Sequence, residues 1–576
     1  MDFKDLFGSK HRKLSQDKSP GLAKAQDEPA KLGPVAHYKK GDFIGQKYEV
    51  YGILGAGGFG VVYLVCSNQT KEVFALKTFK DEFLSDDLIR DRFRKECQAW
   101  VNLERYPYLV RAAFVEEFSG RLYIAMEYVA PDEFGLNSLD GYLKKRPPDL
   151  AQSLCWAIQF CHGMEYAYAK GISCHRDIKP SNIMIGTDKM IKITDFGLAG
   201  VLGSSESGGT IKLNIKDAGI GLSFMTVGGA SFGTPTHMPP EQFTNAAECD
   251  QRSDIYSFGI VLYQMATGGK VPFTADPPGA DAREAAGRYW KIMEHLHSQS
   301  TVPDIDSPLN PIIKSCLMKA PGQRYQTFRG LRGSLEPLLT HQTGEMIRSP
   351  MIKELTAGEW SNKGISFDCL GQYTEAIACF DRALQIDPED SFTLCNKGNV
   401  LNRLDQYREA LVCFNMALRV DPGIAAIWIG KGNSLDHLCK FAEAIDCYDK
   451  ALQIDPQSAV AWSNKGSMLY DLGKYAEAID CHDKALLIDS LYVLALINKG
   501  YSLYRLGKYT EALACGDKAL EIDPRDALVW NFKGAILDSL GKYAEAIACY
   551  DMALNIDPVF VYARRGKEIA EKKMAR

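Results

Sequence analysis

The sequence predicts a multidomain chain in which an α+β region is followed by an all-α solenoid. Between residues 48 and 340, strand-like segments interrupted by glycine give way to helical hydrophobic periods. From residue 357 to residue 560 the sequence repeats every 34 residues without insertion or deletion, which is typical of stacked helix pairs. At 576 residues the chain is also too long for a single compact core.

The composition is that of a folded protein and excludes several classes. Hydrophobic residues make up 46% of the chain and charged residues 24%. The net charge of -5 offers no basic field for a phosphate backbone, so no nucleic-acid partner is expected. The start MDFKDLFGSK lacks the apolar segment of a signal peptide, and no run of 18 apolar residues occurs. We therefore expect no transmembrane segment and a cytoplasmic location.

Six of the sixteen cysteines recur every 34 residues. They are Cys379, Cys413, Cys447, Cys481, Cys515 and Cys549. Successive members of this column lie two helices apart in a stacked array, beyond roughly 8–10 Å. A disulfide needs Cα atoms within about 7 Å, so the column is expected to pack and not to bridge. Because no CxxC pair occurs, zinc and dithiol redox sites are not favoured either.

The pattern divides the chain into five parts. Residues 1–47 are polar, contain scattered prolines and are predicted to be a flexible tail. Within residues 48–340, a small antiparallel sheet over residues 48–80 precedes a larger helical lobe. Residues 341–356 lack a clear period and contain Gly344 and Pro350, which indicates a linker or a short connecting helix. Repeats follow over 357–560, and 561–576 is predicted to be a polar capping helix.

A glycine-rich segment separates the first two long strands. Gly55, Gly57, Gly60 and Val62 form the pattern G-x-G-x-x-G-x-V. This is either a glycine-rich hairpin or a loop whose bare backbone closes over nucleotide phosphates. A dinucleotide site is not favoured, because a strand follows the glycines where a helix should begin.

A lysine in the next strand offers a second phosphate-binding group. Lys77 lies 17 residues past Gly60, inside the apolar strand FALKTF. It could be an edge residue that reaches solvent. Alternatively, Glu96 in the amphipathic stretch DRFRKECQAWVNL could pair with it and hold it on the phosphates.

Two further motifs make the pattern specific. They are CHRDIKPSN, which contains Asp177, and KITDFGLA, which contains Asp195. With the glycine loop and the strand lysine, their order and spacing resemble those of eukaryotic-type serine/threonine protein kinases. PPE at 239–241, Asp254 and Arg324 also match. The resemblance covers about residues 48–340 and implies a bilobal protein kinase fold.

The resemblance implies a role for each matched residue. Asp177 would accept or orient the proton of the attacking hydroxyl, and Asn182 and Asp195 would hold Mg²⁺ against the phosphates of ATP. Lys179 resembles the serine/threonine class, and Thr234 would bridge it to Asp177. Catalysis of this kind depends on positioning and charge neutralisation more than on a strong nucleophile.

The resemblance also implies an ATP site between the two lobes. Met126 falls at the gatekeeper position, and the segment after it would bind adenine through backbone groups, unless it is simply a buried strand. His237 and Pro239 depart from the tyrosine and alanine usual in the family, which affects the detail of the substrate pocket. The implied ATP-binding residues are Leu54, Gly55, Ala56, Gly57, Gly58, Phe59, Gly60, Val61, Val62, Lys77, Glu96, Glu127 and Val129.

The loop between Asp195 and Glu241 is long and rich in serine and threonine. A loop of this length is either functional or unstructured. Arg176 supplies a cation with which a phosphate on that loop could pair, so autophosphorylation is one hypothesis. An unregulated insertion is the other.

Each 34-residue unit resembles the tetratricopeptide repeat. In the first unit the matching residues are Trp360, Gly364, Ala376, Ala383 and Pro388. The small residues let two helices approach closely, and the proline stops the second helix.

Three positions depart from this repeat pattern. Ser490 replaces the repeat-ending proline, and Asp405 and Cys439 replace the turn glycine. These substitutions are expected to loosen turns without breaking the stack.

Four asparagines share the sixth position of the repeats, namely Asn362, Asn396, Asn464 and Asn498. Gly430 and Phe532 occupy the same position in the other two units. In arrays similar to that of the O-linked N-acetylglucosamine transferase, such asparagines grip a peptide backbone in the concave groove. Alternatively, the asparagines are a shared consensus that merely faces water.

Together these patterns predict an ATP- and Mg²⁺-dependent protein serine/threonine kinase. Its repeats would recruit protein substrates or regulators, with peptide segments held in the groove. The alternative is a catalytically weak kinase-fold scaffold, which would have no physical need for metal-binding carboxylates. A small-molecule phosphotransferase is disfavoured by Thr234, by PPE and by the repeats.

Overall fold

In the structure, a computed structural model, residues 38–56, 60–83, 87–118, 120–196, 235–245, 248–275 and 283–575 are described. They group into two units, one reaching Gln372 and the other starting at Tyr373. The predicted class is confirmed. The first unit contains a sheet-based lobe and a helical lobe, and the second is a series of helices.

The smaller lobe is built on one antiparallel sheet with the strand order β1-β2-β3-β4-β6-β5. The strands are β1 (Phe43–Ile44), β2 (Tyr48–Ala56), β3 (Gly60–Ser67), β4 (Val73–Phe79), β5 (Ala112–Phe118) and β6 (Arg121–Glu127). Alternate residues of β3 are buried, as expected for a strand with one face on a core. Tyr48, Tyr63 and Tyr123 are large side chains of that core. In this order β5 is an edge strand, because it pairs only with β6.

The sheet begins inside the segment predicted as a tail. In β1, Phe43 lies opposite Glu49 and Ile44 opposite Tyr48. Ile44 is fully buried. A two-residue strand is too short to show an alternating pattern, so the sequence did not reveal it. Residues 1–37 of the predicted tail lie outside the described part of the chain.

Helices dominate the rest of the first unit. They are α1 (Asp87–Asn102), α2 (Leu139–Lys145), α3 (Leu150–Ala169), α4 (Pro240–Thr244), α5 (Gln251–Thr267), α6 (Arg283–Gln299), α7 (Asn310–Cys316) and α8 (Phe328–Thr343). A two-stranded sheet of β7 (Ile183–Ile185) and β8 (Ile191–Ile193) interrupts them. In the core, Phe160 of α3 stacks on Phe258 of α5 with ring centroids 4.0 Å apart. Helix α1 packs against β4, β5 and β6 of the sheet.

The first unit extends past the predicted linker. Helix α8 runs to Thr343, beyond the predicted boundary at residue 340, and ends at Gly344 in the left-handed conformation with φ 76°. The next helix, α9 (Ala357–Cys369), is the first helix of the repeats and belongs to the first unit. Thr356 and Glu359 form a capping box at its start.

The second unit continues the repeat as regularly spaced helices. They are α10 (Tyr373–Ile386), α11 (Ser391–Arg403), α12 (Tyr407–Val420), α13 (Ala425–His437), α14 (Phe441–Ile454), α15 (Ala459–Asp471), α16 (Tyr475–Ile488), α17 (Val493–Arg505), α18 (Tyr509–Ile522), α19 (Ala527–Ser539), α20 (Tyr543–Ile556) and α21 (Val561–Met574). Each neighbours the next in space, as the repeat predicted. Among the described helices, none is both long and apolar enough to cross a membrane.

The helices of a repeat approach closely because glycine faces an aromatic ring. A Cβ on Gly398 would lie 2.7 Å from the ring of Phe414 in the same repeat. The residues at the ring position are Phe380, Phe414, Tyr448, His482, Gly516 and Tyr550. In the fifth repeat, where that residue is Gly516, the ring beside Gly500 is Phe532 from the following repeat. Phe532 therefore fills the space that Gly516 leaves.

An ion pair at a fixed position joins successive repeats. A lysine at the seventh position of one helix pairs with an aspartate of the preceding repeat at 2.5–2.7 Å. The pairs are Lys397–Asp381, Lys465–Asp449, Lys499–Asp483, Lys533–Asp517 and Lys567–Asp551.

The expected loosening of two turns is not seen. Asp405 and Cys439 keep the left-handed conformation of the glycines that they replace, with φ 60° and 61°. The equivalent glycine Gly473 has φ 79°. The neighbouring helices therefore impose the turn, and the two side chains accept the strain.

The cysteine column packs inside the array. Its six members are buried, and all sixteen cysteines, each of them in the described residues, are free thiols. Burial raises the pKa of thiols such as Cys413 and Cys447, which keeps them protonated.

Candidate active site

Three charged side chains from separate elements meet between the lobes. Lys77 on β4 donates to Glu96 Oε1 of α1 at 2.6 Å and to Asp195 Oδ1, just after β8, at 2.8 Å. The side chains of Lys77 and Glu96 are 14% and 9% exposed, whereas that of Asp195 is 41% exposed. One lysine thus joins the sheet, a helix and the loop after β8, with the aspartate facing the cleft.

The charges of this cluster stabilise one another. Burial alone would lower the pKa of Lys77, but the carboxylates of Asp195 and Glu96 raise it above its ordinary value. The Lys77 ammonium in turn lowers the pKa of Asp195, against the opposing effect of burial. The lysine is therefore a fixed cation, and Asp195 is a fixed anion.

A second cluster forms around Asp177. Lys179 Nζ donates to Asp177 Oδ2 at 2.8 Å, and Asn182 Nδ2 donates to the same oxygen at 2.9 Å. Asn182 Nδ2 also donates to the backbone carbonyl of Asp177 at 2.8 Å. Lys179 was expected beside Asp177, and Asn182 was expected beside Asp195 as a metal ligand; in the structure both side chains contact the same oxygen of Asp177. Two donors on Oδ2 leave Oδ1 as the oxygen that can accept a further proton.

Buried polar groups hold the loop that carries Asp177. Asp254, at the start of α5, accepts from the backbone N–H groups of His175 at 2.6 Å and Arg176 at 2.9 Å. Arg176 has φ 65° and Asp195 has φ 64°, both in the left-handed region. Non-glycine residues persist there when their surroundings determine them, and such strain clusters at functional sites.

An aromatic contact links Asp195 to α1. The ring of the adjacent Phe196 is fully buried and meets the ring of Trp100, on α1, edge-on at 5.3 Å. The centroid of the Phe196 ring also lies 4.6 Å from that of the His175 ring. Phe196 therefore contacts both α1 and the segment that carries Asp177.

The described residues of the glycine loop lie at the ends of two paired strands. Gly55 pairs with Val62 and Ala56 with Val61 across β2 and β3. Val62 in turn lies opposite Lys77. Leu54 is 45% exposed, and Val61 is buried.

The backbone of one of these glycines lies close to the neighbouring strand. A Cβ on Gly60 would lie 3.1 Å from the carbonyl oxygen of Thr78, so a side chain there would be tightly packed. Gly57, Gly58 and Phe59 lie outside the described residues.

The predicted hinge lies at the end of β6. Met126 is 4% exposed and pairs with Ala75 of β4. The Glu127 carboxylate is held by Lys192 Nζ at 2.8 Å, a contact that the sequence did not reveal because the two residues are 65 positions apart. The Val129 carbonyl accepts from Asn137 Nδ2 at 2.9 Å.

Arg324 and Glu241, which both lie in segments that match kinase motifs, form a buried ion pair. Arg324, whose side chain is fully buried, donates to Glu241 at 2.7 and 2.9 Å. His237 Nε2–H donates to Gln264 Oε1 at 2.7 Å, and burial lowers the pKa of His237 to about 4. Thr234, predicted to bridge Asp177 and Lys179, and the serine- and threonine-rich loop before it lie outside the described residues.

The donor set suits a hard cation. Asp195 offers a carboxylate on the cleft, and Asn182 Oδ1 receives one long contact, from Ser181 Oγ at 3.4 Å. Oxygen ligands of this kind are those that Mg²⁺ prefers. Among the described residues no group of three or more His, Cys, Asp or Glu side chains converges, so Asn182 and Asp195 would leave coordination positions of the ion open.

The asparagine column is partly used within the array itself. Asn464 Nδ2 donates to Asn433 Oδ1 of the preceding repeat at 3.0 Å, and Asn498 Nδ2 donates to Ser467 Oγ at 3.1 Å. Asn396 Nδ2 is buried and has no hydrogen-bond partner among the described residues. The amide nitrogens of Asn464 and Asn498 therefore face the neighbouring repeat, and at these two positions a peptide would have to bind to the amide oxygens.

Family models match most of the chain. Residues 48–334 match the model of the protein kinase domain. Five segments, 357–390, 391–423, 425–458, 457–522 and 491–558, match tetratricopeptide repeat models.

Bacterial serine/threonine-protein kinases are among the relatives that the chain resembles. A probable serine/threonine-protein kinase of Clostridium perfringens is 31% identical over 306 residues, which is 52% of this chain and 39% of the relative. A second, from Clostridium acetobutylicum, is 34% identical over 292 residues, 50% of this chain and 39% of the relative. The serine/threonine-protein kinase PknB of Mycobacterium tuberculosis is 30% identical over 297 residues, 51% of this chain and 43% of the relative. The chain thus spans about two fifths of the length of these relatives.

Proposed function

Because the chain belongs to the protein kinase family, with tetratricopeptide repeats after the kinase domain, we propose that it is a protein serine/threonine kinase. It would transfer the γ-phosphoryl group of ATP to serine or threonine hydroxyls of proteins. The observation that carries this proposal is the pairing of Lys77 with both Glu96 and Asp195. Phosphoryl transfer needs such fixed cations and carboxylates around the phosphates.

Each charged residue of the site would have a separate role in phosphoryl transfer. Lys77, held by Glu96, would bind the α- and β-phosphates, while the backbone of the glycine loop would cover them. Asp177 would accept the proton of the attacking hydroxyl at Oδ1, because Lys179 and Asn182 hold Oδ2. Lys179 would also neutralise charge on the transferred group.

Asn182 and Asp195 would hold Mg²⁺. When bound, the ion supplies charge neutralisation for the phosphate oxygens. The lowered pKa of Asp195 supports this role, because a carboxyl group binds a metal ion as the ionised carboxylate.

Adenine would bind at the end of β6. The backbone of Glu127 and Val129 would supply its hydrogen bonds, and the buried Met126 would close the back of the pocket.

The free thiols suit a reducing compartment, so we place the activity in the cytoplasm.

The test is phosphoryl transfer by the full-length chain with labelled ATP, Mg²⁺ and a generic protein substrate. Asp177→Asn and Lys77→Met should each abolish transfer, with a loss of about 10²–10⁴ in rate for the general base. Phosphoamino-acid analysis should show phosphoserine or phosphothreonine. An inactive wild-type chain would favour the kinase-fold scaffold, and variants as active as wild type would refute the assigned roles.

We also propose that the repeats recruit protein substrates by holding extended peptide segments. The amide oxygens of Asn464 and Asn498 support this idea, because their nitrogens are already bonded and fix their orientation. Tethering raises the local substrate concentration towards the millimolar range, so docking need not be tight. Substrates can be found by comparing phosphoproteomes from cells that carry the wild-type or the Asp177→Asn chain.

Changing Asn396, Asn464 and Asn498 together to alanine should then raise KM for a protein identified in this way. Activity on a short peptide should be spared. Equal effects on both substrates would show that the column serves only the fold.

A further inference from the structure

The first helix of the repeats, α9, is docked on the sheet-based lobe of the kinase domain. It packs against β5 and against α1, and it belongs to the same unit as the kinase domain. Three of its side chains, at Glu359, Lys363 and Ser366, make polar contacts with that lobe. We call these three residues the docking set.

Lys363 of the docking set forms the ion pair that joins successive repeats, but its partner is a residue of the kinase domain. Lys363 occupies the seventh repeat position, where Lys397 pairs with Asp381 of the preceding repeat at 2.6 Å. No repeat precedes α9, and Lys363 pairs instead with Glu104 of the kinase domain at 2.7 Å. The sheet-based lobe thus takes the place of a preceding repeat.

Glu359 of the docking set departs from the repeat pattern at the point where it contacts the kinase domain. At the third repeat position, later helices carry fully buried side chains, namely Thr393, Ile427, Ala461, Ala495, Val529 and Ala563. In α9 this residue is Glu359, which pairs with Arg111 at 3.2 Å and Arg105 at 3.6 Å. A charge at this one position is matched to the arginines of the kinase domain.

The third member covers an exposed edge of the sheet. The backbone N–H of Val115, on the edge strand β5, donates to Ser366 Oγ at 2.9 Å. Ser366 is 1% exposed. An edge strand left open presents unpaired backbone groups, so this hydroxyl satisfies a donor that the sheet itself leaves unpaired.

These contacts adjoin the helix that completes the active site. Glu104 follows α1 by two residues and also accepts from Lys170 at 2.6 Å, which ties it to the end of α3. Trp100 of α1 lines a cavity of about 260 Å³ together with Glu359 and Lys363. The same Trp100 ring meets Phe196, the neighbour of Asp195.

We propose that α9 is a positioning element of the kinase domain, whose docking set holds α1 where Glu96 pairs with Lys77. The proposal rests on the proposed kinase function for its catalytic readout. In the structure α9 is docked on the sheet-based lobe, and the Lys77–Glu96 ion pair is formed at 2.6 Å. The two features that the proposal connects are therefore present together. The docking set therefore consists of positioning residues that act through α1.

The experiment uses the full-length chain with Glu359→Gln, Lys363→Gln and Ser366→Ala combined. Glutamine at residue 359 keeps the capping box, so α9 itself should form. We expect kcat to fall about 3- to 30-fold, the range for losing three contacts of ordinary strength. The matched control is Lys397→Gln, which removes the same ion pair one repeat further on and should leave kcat unchanged.

Hydrogen exchange at the amides of α1 provides a readout independent of catalysis. Protection over Asp87–Asn102 should fall in the triple variant and not in Lys397→Gln. In the Glu96→Gln background, the triple change should cause little further loss of kcat, because the pair that it disturbs is already absent. If the triple variant fails to fold, Ser366→Val, which carries the residue of the second repeat at that position, replaces it.

The outcomes separate the two proposals. Unchanged exchange in α1, or an equal loss of kcat with Lys397→Gln, would overturn the positioning role. Full additivity with Glu96→Gln would also overturn it. Faster exchange in α1 of a chain without any kinase activity would keep the positioning role and refute the proposed function.

Discussion

In the fifth repeat the ring of Phe532 fills the space beside Gly500, because Gly516 has no side chain there. This replacement can be tested by restoring the residues that the other repeats carry. Phe532→Asn introduces the residue that four other repeats carry at that position. Phe532 is fully buried, and its ring lies 4.5 Å from the ring of Tyr501. Removing a buried phenylalanine ring costs about 3–5 kcal/mol of unfolding free energy. We expect a loss of this size.

The reverse substitution should be harmful alone and helpful in combination. A Cβ at Gly516 would already lie 3.7 Å from the Phe532 ring, so a whole ring in Gly516→Phe overpacks the site at a cost of about 1–3 kcal/mol. With Phe532→Asn in place, the new ring at residue 516 can occupy the space beside Gly500. The double variant should therefore be at least about 2 kcal/mol more stable than the sum of the single changes implies.

The assay is urea unfolding of the full-length chain, followed by hydrogen exchange at the amides of α17 and α19. Residue-level exchange is needed because a chain of two units need not unfold in one transition. The reasoning is refuted if Phe532→Asn costs less than about 1 kcal/mol, the usual effect of an ordinary substitution. It is also refuted if the two changes are additive.

Three further predictions concern stability and catalysis. Asp177→Asn should leave the thermal midpoint of unfolding nearly unchanged while it abolishes phosphoryl transfer, because Asp177 lies outside the core; calorimetry would contradict this with a large shift. Cys439→Gly should stabilise the array by about 1 kcal/mol in urea, because it removes a side chain from a left-handed turn; a loss of stability would argue against strain there. His482 is fully buried, and burial lowers its pKa from 6.5 to about 3, so the folded array binds fewer protons than the unfolded chain between these values. Stability is then complete above pH 6.5 and falls with decreasing pH, by about 2–3 kcal/mol at pH 4.5. His482→Phe should remove this component of the pH dependence, and an unchanged profile would exclude His482 as its source.

Local patterns in the sequence were sufficient for the kinase motifs. Lys77, Asp177 and Asp195 were found because each lies in a short segment of characteristic composition and order. The clusters that they form in the structure join residues up to 118 positions apart, as in the Lys77–Asp195 pair. The order of the motifs predicted which residues meet, because proteins of one family share the same tertiary arrangement.

The partners of some motif residues could not be predicted. Lys192 and Phe196 lie in the motif KITDFGLA, but their contacts with Glu127 and Trp100 are set by the packing of whole elements and not by the motif. Glu359 differed visibly from the third position of the other repeats, but a single departure does not name its partner. Its partners, Arg105 and Arg111, are set by the packing of α9 on the sheet-based lobe.

By itself, the sequence determined the fold class, the number of repeats and the identity of the kinase motifs. Periodicity and short-range spacing record these features, since hydrophobic faces and turn residues act over a few positions. The tertiary structure alone decided that α9 docks on the sheet-based lobe, that Phe532 replaces the missing ring of the fifth repeat, and that Asp405 and Cys439 keep a strained turn. Each of these outcomes depends on how well surfaces from distant segments fit together, and close packing selects that fit from the whole set of neighbours and not from any one stretch of chain.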